Sequence, residues 1–175
     1  MTVRNRMRSC AVLVSGLVLG AAIVVPLTAE AKWQRYNPSI CMSEFGLDFD
    51  SMITYGGGSF GPINLDPDWQ HSLICPIDDS SSYAKTEIAS INVHVHDNNA
   101  ASSNHARACT KNFSGFSNTC GLESKTTASF TGNATLTPEV SDFAANPLDF
   151  AYVIVTLGKA LPNAWSSLHG YFTST

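Results

Sequence analysis

Positive charge is scarce in this sequence, and the basic residues form no stripe or cluster. The 175 residues include only 10 Lys and Arg against 14 Asp and Glu, which gives a formal net charge of −4. Nucleic acids require clustered Lys and Arg to neutralise their phosphates, and anionic membrane surfaces favour the same residues. The composition therefore argues against a nucleic-acid partner and against attachment to an anionic membrane.

Long apolar runs are also lacking, except for one near the start of the chain. Residues 11–25 are apolar but too few to span a bilayer comfortably; Arg4, Arg6 and Arg8 precede them, and an Ala-Glu-Ala sequence ends at Ala31. This order is typical of a secretory signal peptide with its cleavage site. We predict that residues 1–31 are a signal peptide. Residues 32–175 should then form a single exported domain, periplasmic or extracellular, with no membrane span.

The sequence contains no C-x-x-C pair, but four cysteines follow the predicted cleavage site: Cys41, Cys75, Cys109 and Cys120. An even number in an exported domain favours two disulfides over thiol chemistry or a zinc site. Of the three possible pairings we favour Cys41 with Cys75 and Cys109 with Cys120, because each closes a local loop between segments that could be neighbouring strands. In a chain-entropy treatment these loops would contribute roughly 4 and 3 kcal/mol of stability.

Helical periodicity is almost absent from the predicted domain. Short runs rich in Val, Ile, Thr and aromatic residues instead alternate with clusters of Gly, Pro, Asn and Asp, a pattern typical of strands and turns. The sequence predicts an all-β fold, a two-layer antiparallel β-sandwich reinforced by disulfides. We place the strands at residues 59–65, 71–77, 85–97, 105–112, 126–130, 134–137, 148–157 and 168–173.

Two of these strands indicate which side chains face the core. The apolar residues of segment 91–95 alternate with polar ones, so they should face inward while His94 and His96 share the outer face. Residues 148–157 are apolar on both faces. This pattern predicts a central strand that is covered on both sides.

Several short motifs follow one another in a distinctive order. Segment 33–41 leads to Gly61-Pro62-Ile63-Asn64 and Leu73-Ile74-Cys75-Pro76-Ile77, then to an alternating strand ending in Asp97 and a segment, 152–162, followed by Gly170-Tyr171. In this order the chain resembles a broad set of small exported bacterial β-sandwich proteins that have no assigned activity. The resemblance implies export and a β-sandwich, and it brings no catalytic residues with it.

The His-x-His pair formed by His94 and His96 is the strongest chemical signal. On a strand this spacing points two imidazoles to one side, where they can chelate a transition metal such as copper or zinc. His105, just beyond the next loop, could supply a third nitrogen. Our leading interpretation is nevertheless that the two histidines line the solvated face of a strand, because such short motifs often match by chance.

Two weaker patterns are better explained by local structure. Ser59 lies in a G-x-S-x-G string, but Pro62 and a β-rich segment follow where a serine hydrolase needs a helix. Acidic loops, such as the one containing Asp66 and Asp68, could hold calcium, but they lack the EF-hand spacing and suit ordinary turns. We therefore predict that both patterns form turns.

Six aromatic residues could present flat faces to a sugar or to another protein. They are Trp33, Trp69, Trp165, Tyr36, Tyr55 and Tyr171. Large aromatic side chains are on average well buried, so we expect most of these to fill the core or the ends of the sandwich.

Together, these patterns favour an exported, non-catalytic β-sandwich that acts as a binding or structural module without a cofactor. An extracellular protein or a glycan is its candidate partner. The alternative is a metal-binding protein, or a metal-dependent enzyme, with a copper or zinc site at His94 and His96.

Overall fold

Short extended segments, separated by turn residues, pair side by side throughout the described part of the chain. The computed structural model describes residues 31–44, 53–55, 61–112, 117–144 and 148–175, and residues Ala31–Thr175 form one unit. The predicted signal peptide up to Glu30, Ser59 of the G-x-S-x-G string and the side chain of Tyr55 lie outside the described residues. Where the chain is described, no helix is long and apolar enough to cross a membrane.

The described residues form twelve strands. They are β1 (Trp33–Tyr36), β2 (Met42–Ser43), β3 (Ile53–Tyr55), β4 (Pro62–Asn64), β5 (His71–Pro76), β6 (Ser90–Asp97), β7 (His105–Lys111), β8 (Asn118–Cys120), β9 (Ser124–Lys125), β10 (Gly132–Leu136), β11 (Phe150–Leu157) and β12 (Ser166–Ser174). Three short 3₁₀ turns lie between them, at Pro38–Ile40, Lys85–Glu87 and Ser141–Phe143.

Antiparallel pairing joins these strands into two six-stranded sheets. Sheet I has the order β10-β6-β12-β4-β3, and β1 also pairs with β12. Sheet II has the order β2-β5-β11-β7-β8, and β9 also pairs with β7. The two sheets form a sandwich, which confirms the predicted all-β class and architecture.

The core between the sheets is built from alternate residues of each strand. Ile91 and Val93 of β6 are fully buried, and Val95 is 1% exposed. They pack in one cluster with residues of sheet II that include Leu73 and Val153. The alternation in β6 therefore sends His94 and His96 outward, as predicted.

Tyr171 of β12 packs within sheet I through its ring and links the two layers through its hydroxyl group. The ring stacks on Tyr36 with 4.6 Å between ring centroids, and the hydroxyl group donates a hydrogen bond to the carbonyl of Pro76 on sheet II. Burial raises the pKa of Tyr171 well above its ordinary value. The hydroxyl group therefore stays protonated and keeps its role as a donor.

The outer face of β11 differs from the sequence prediction. Phe150 is 61% exposed, and Ile154 is partly exposed, so the strand is not covered on both sides along its length. Tyr152 is only 8% exposed, and it lies between Pro76 and Cys109 in the strand register. Cross-strand neighbours can thus shield an apolar residue without a further layer of structure.

Two predicted strand segments also fold differently. Residues 126–130 form a turn, in which the Phe130 amide donates to the Thr127 carbonyl at 3.0 Å and Ser129 has a φ of 72°. A positive φ interrupts an extended strand. Lys85–Glu87 is a 3₁₀ turn, so β6 begins only at Ser90.

The two disulfides fasten strands of sheet II to their neighbours. Cys41 is bonded to Cys75, and Cys109 to Cys120, which are the pairs favoured by the sequence. Cys109 and Cys120 face each other across β7 and β8, and Cys41 directly precedes β2, which pairs with β5. Two such bonds are typical of exported proteins.

A buried polar network closes one end of the sandwich. Asn64 of sheet I is fully buried; its Nδ2 donates to the carbonyl of Gly158 at 2.9 Å, and its Oδ1 accepts from the Asp66 amide at 2.8 Å. Asn104, also fully buried, accepts from the Gly158 amide at 2.8 Å and donates to the His96 carbonyl at 3.3 Å. Because Gly158 directly follows β11, these bonds tie the ends of the two sheets together.

Replacing Asn64 with Ala should lower the free energy of unfolding by about 1–3 kcal/mol, because buried backbone groups would lose their partners. Asn92→Ala is the matched control, since Asn92 is a partly exposed residue of the same sheet with one long hydrogen bond, 3.5 Å, to Ser90 Oγ. The control should change stability by less than about 0.5 kcal/mol. Urea unfolding monitored by circular dichroism measures both values. Equal losses in the two variants would contradict the role assigned to Asn64.

Candidate binding face

The outer face of sheet I carries the two histidines that the sequence singled out. His94 is exposed and His96 is partly exposed. The neighbouring strand β10 holds both rings: Thr135 Oγ1 lies 3.0 Å from Nδ1 of His94, and Asn133 Oδ1 lies 2.8 Å from Nδ1 of His96. Because an amide oxygen only accepts, Nδ1 of His96 is the donor in the second hydrogen bond.

A β-bulge in β12 adds a third histidine to this face. The pairing of β12 with β6 shifts register between Leu168 and Gly170, so His169 is the extra residue. Its ring stacks on His96, with 6.0 Å between centroids and 5° between ring planes. Partial burial lowers the pKa of His169, and repulsion from His96 and His94 lowers it further. The imidazole is therefore neutral at physiological pH.

Further rings extend this row along β12 and β1. Phe172 stacks on His94 with 5.4 Å between centroids. Arg35 of β1 lies opposite Phe172 in the strand register, and its guanidinium group is 4.6 Å from the centre of the Trp33 ring, a cation–π contact. We call this surface the ring face; it consists of Trp33, Arg35, His94, His96, His169 and Phe172.

Two shallow concavities meet on the ring face at His94 and His169. One, of about 280 Å³, extends toward Arg35. The other, of about 330 Å³, extends toward Asn133 and Thr135 of β10. Flat rings and hydrogen-bonding side chains therefore lie side by side in an open surface, an arrangement suited to a ligand with both apolar and polar faces.

His105, predicted as the third metal ligand, lies on the other sheet. It begins β7 in sheet II, where its Nδ1 atom is 2.8 Å from Oε1 of Glu123. The structure therefore does not bring His105 to His94 and His96, because the loop after β6 crosses between the sheets. Among the described residues, no group of three His, Cys, Asp or Glu side chains could hold a metal ion.

The acidic loop at Asp66 uses its oxygens within the protein. Oδ1 of Asp66 accepts from the backbone amides of Asp68 and Trp69 at 2.8 and 3.2 Å, and Oδ2 lies 3.1 Å from Nε2 of His71. Burial raises the pKa of Asp66, but these hydrogen bonds outweigh it and hold the pKa below its ordinary value. The side chain therefore stays ionised and shapes the turn.

The expectation that most of the aromatic residues are buried is wrong for the tryptophans. Trp33, Trp69 and Trp165 are 59%, 69% and 41% exposed, whereas Tyr36 and Tyr171 belong to the core. Trp33 begins β1 and Trp165 directly precedes β12. At a strand end a large ring has neighbours on fewer sides, so alternation alone does not bury it.

Comparisons with known proteins inform the fold more than the function. No protein-family model matches the chain, and no curated protein matches its sequence. The structure is similar to a solved structure described as "xylan-binding module CBM15", with a TM-score of 0.51 and 12% sequence identity. The match covers 82% of this chain and 95% of that one. At this identity the similarity shows a shared β-sandwich fold.

Copper or zinc should not stabilise the protein through His94 and His96, because β10 already holds both rings and no described group of three ligands contains them. We expect the same melting temperature with and without equimolar metal in the parent and in the double variant His94→Thr/His96→Thr. Differential scanning fluorimetry at about pH 5.5 and pH 7.5 tests this, because metal binding by imidazole ligands competes with protons and weakens in acid.

His105→Thr on the other sheet is the control for this experiment. A metal-dependent rise in melting temperature at the higher pH would overturn the interpretation if the double variant and acid abolished it while His105→Thr retained it. In that case metal binding would stabilise the folded protein in proportion to affinity and free metal.

Proposed function

We propose that this protein is an exported glycan-binding module that contacts its sugar chain through the ring face. The observation that carries the proposal is the row of stacked rings on sheet I, where Phe172 lies on His94 and His169 lies on His96. Sugar rings have apolar C–H faces and hydroxylated edges. They therefore suit a surface that places flat rings beside hydrogen-bonding groups.

The polar residues around the rings support the same ligand class. Asn133 and Thr135 line the concavity on the β10 side, where amide and hydroxyl groups can exchange hydrogen bonds with sugar hydroxyls. The imidazole of His169 is neutral, so packing it against a sugar avoids the free-energy cost of removing a charged group from water. Arg35, held over Trp33, adds a positive group at the other end and favours chains that carry carboxylate substituents.

The fold gives a first choice of ligand. A β-sandwich of similar architecture is described as a xylan-binding module, and two disulfides suit a protein that works outside the cytoplasm. Xylan with and without glucuronic acid side groups is therefore the first polysaccharide to test. Mannan and a mixed-linkage glucan extend the test to other neutral chains.

Phe172→Ala should weaken glycan binding about tenfold, because a stacked aromatic ring is worth about 0.5–1.5 kcal/mol beyond the area it buries. Affinity electrophoresis in gels that contain each polysaccharide would identify the ligand, and calorimetry with its oligosaccharides would give the dissociation constants. His94→Ala should act in the same direction because His94 supports the Phe172 ring.

Phe150→Ala provides a matched control, since it removes the same side chain from the outer face of sheet II, where Phe150 is 61% exposed. This variant should bind like the parent protein. If Phe150→Ala lost binding while Phe172→Ala bound normally, the ligand would lie on sheet II and the proposed ring-face site would be wrong. Absence of retardation by every polysaccharide would reject glycan binding itself.

A further inference from the structure

Ser103, His105 and Glu123 form one chain of hydrogen bonds on the outer face of sheet II. Ser103 Oγ lies 2.7 Å from Nε2 of His105, and Nδ1 of the same ring lies 2.8 Å from Oε1 of Glu123. The chain therefore runs from a hydroxyl group through both imidazole nitrogens to a carboxylate. None of the three contributes to the ring face, which belongs to sheet I.

The direction of each hydrogen bond follows from Glu123. The hydrogen bond from His105 lowers the pKa of Glu123, burial opposes this, and Arg107 lowers it further, with a net result below the ordinary value. An ionised carboxylate only accepts, so Nδ1 of His105 carries the proton. In a neutral ring Nε2 is then the acceptor, and Ser103 is the donor to it. This is the tautomer that a general base needs in order to take a serine proton.

The surrounding structure holds this geometry from three sides. Asn104, between the serine and the histidine, is fully buried and bonded to the Gly158 amide. Arg107 binds Oε2 of Glu123 through Nε at 2.9 Å and Nη2 at 2.8 Å, which leaves Oε1 for the histidine. The Cys109–Cys120 disulfide fixes the segment that leads to Glu123 beside β7.

An open groove lies beside this chain of residues. His105, Arg107 and Glu123 line it together with Ile154 and Thr156, and its volume is about 330 Å³. Glu123 is paired with Arg107, Ile154 provides an apolar floor, and Glu44 adds a carboxylate to the polar walls. This lining suits a small uncharged ester better than an anionic one.

We propose that Ser103 is an activated nucleophile that accepts an acyl group from a small ester, with His105 as its general base. Glu123 is a positioning residue that acts through His105. The arrangement is recognised by geometry and roles, because serine, histidine and carboxylate triads occur on unrelated folds and in different chain orders.

The reaction balances with water as the second reactant. Ser103 Oγ attacks the carbonyl carbon of the ester while its proton moves to Nε2 of His105, and the departing alcohol oxygen takes that proton as its bond to the carbonyl carbon breaks. The acyl group is then on Ser103. Water, deprotonated by His105, releases the carboxylic acid and restores the serine hydroxyl group.

A fluorophosphonate probe tests the nucleophile directly in the purified protein. Ser103 should displace fluoride and form one phosphorus–oxygen bond per chain, with the serine proton taken by His105. Intact mass and peptide mapping would locate the label.

Hydrolysis of p-nitrophenyl acetate provides the second readout. We expect Ser103→Ala to abolish labelling and His105→Gln to slow both reactions at least about 100-fold, the scale of general-base catalysis.

The control variants separate chemistry from folding. Ser72→Ala removes a serine that lines the groove beside His105 but is bonded to Thr156 rather than to an imidazole, and it should label like the parent. Glu123→Gln should slow labelling, and Glu123→Asp, which keeps the carboxylate, should restore part of the rate. If the two variants have the same melting temperature, a purely structural role of Glu123 would not produce this difference. No labelling of the parent, labelling spread over several serines, or full labelling of His105→Gln would overturn the proposal.

Discussion

The buried hydrogen bonds of Asn104 are the constraint on which both outer faces of the sandwich depend. Its amide group donates to the carbonyl of His96 on sheet I and accepts from the Gly158 amide at the end of β11 in sheet II. Leaving such groups unpaired in the interior costs about 1–3 kcal/mol for each one. The residue therefore fixes where β6 ends, and with it the position of His96. Because Asn104 points inward, its neighbours Ser103 and His105 must point outward.

Local sequence determines much of this fold, and tertiary bonding decides the exceptions. The alternation in β6 depends only on the residues themselves and on the period of a strand, so it predicts correctly that His94 and His96 share a face. Residues 126–130 have the composition of a strand. However, the Thr126 hydroxyl group donates to Oδ2 of Asp97 at 2.8 Å and accepts from the backbone N–H of Asn104 at 3.0 Å. The side chain of Thr126 thus joins the buried network, and the chain turns after it. Propensity cannot reveal that competition, because both partners are distant in sequence.

In the candidate sites, too, some features follow from local sequence and others only from the tertiary structure. His94 and His96 are two residues apart, so their common face could be predicted, whereas the third histidine of that face comes from β12, 73 positions after His96. His105 is close to His96 in sequence but belongs to the opposite sheet, because the intervening loop crosses the sandwich. Glu123 reaches His105 only through the pairing of β8 and β9 with β7. Spacing along the chain predicts which residues share a face within one strand. Sheet topology decides which residues of different strands lie together at a site.

The bulge at His169 serves the core and the ring face together. Side chains alternate along a regular strand, so Leu168 in the core would place Tyr171 outside. The extra residue resets the alternation, and Leu168 and Tyr171 are both buried, at 0% and 2% exposure, while His169 turns toward the ring face. Gly170 makes this possible with a φ of 147°, which other residues rarely adopt, and a Cβ atom there would lie 3.3 Å from the Tyr36 carbonyl oxygen. A side chain at this position would strain the strand that aligns the core tyrosine and the third imidazole, so stability and the shape of the binding face would change together.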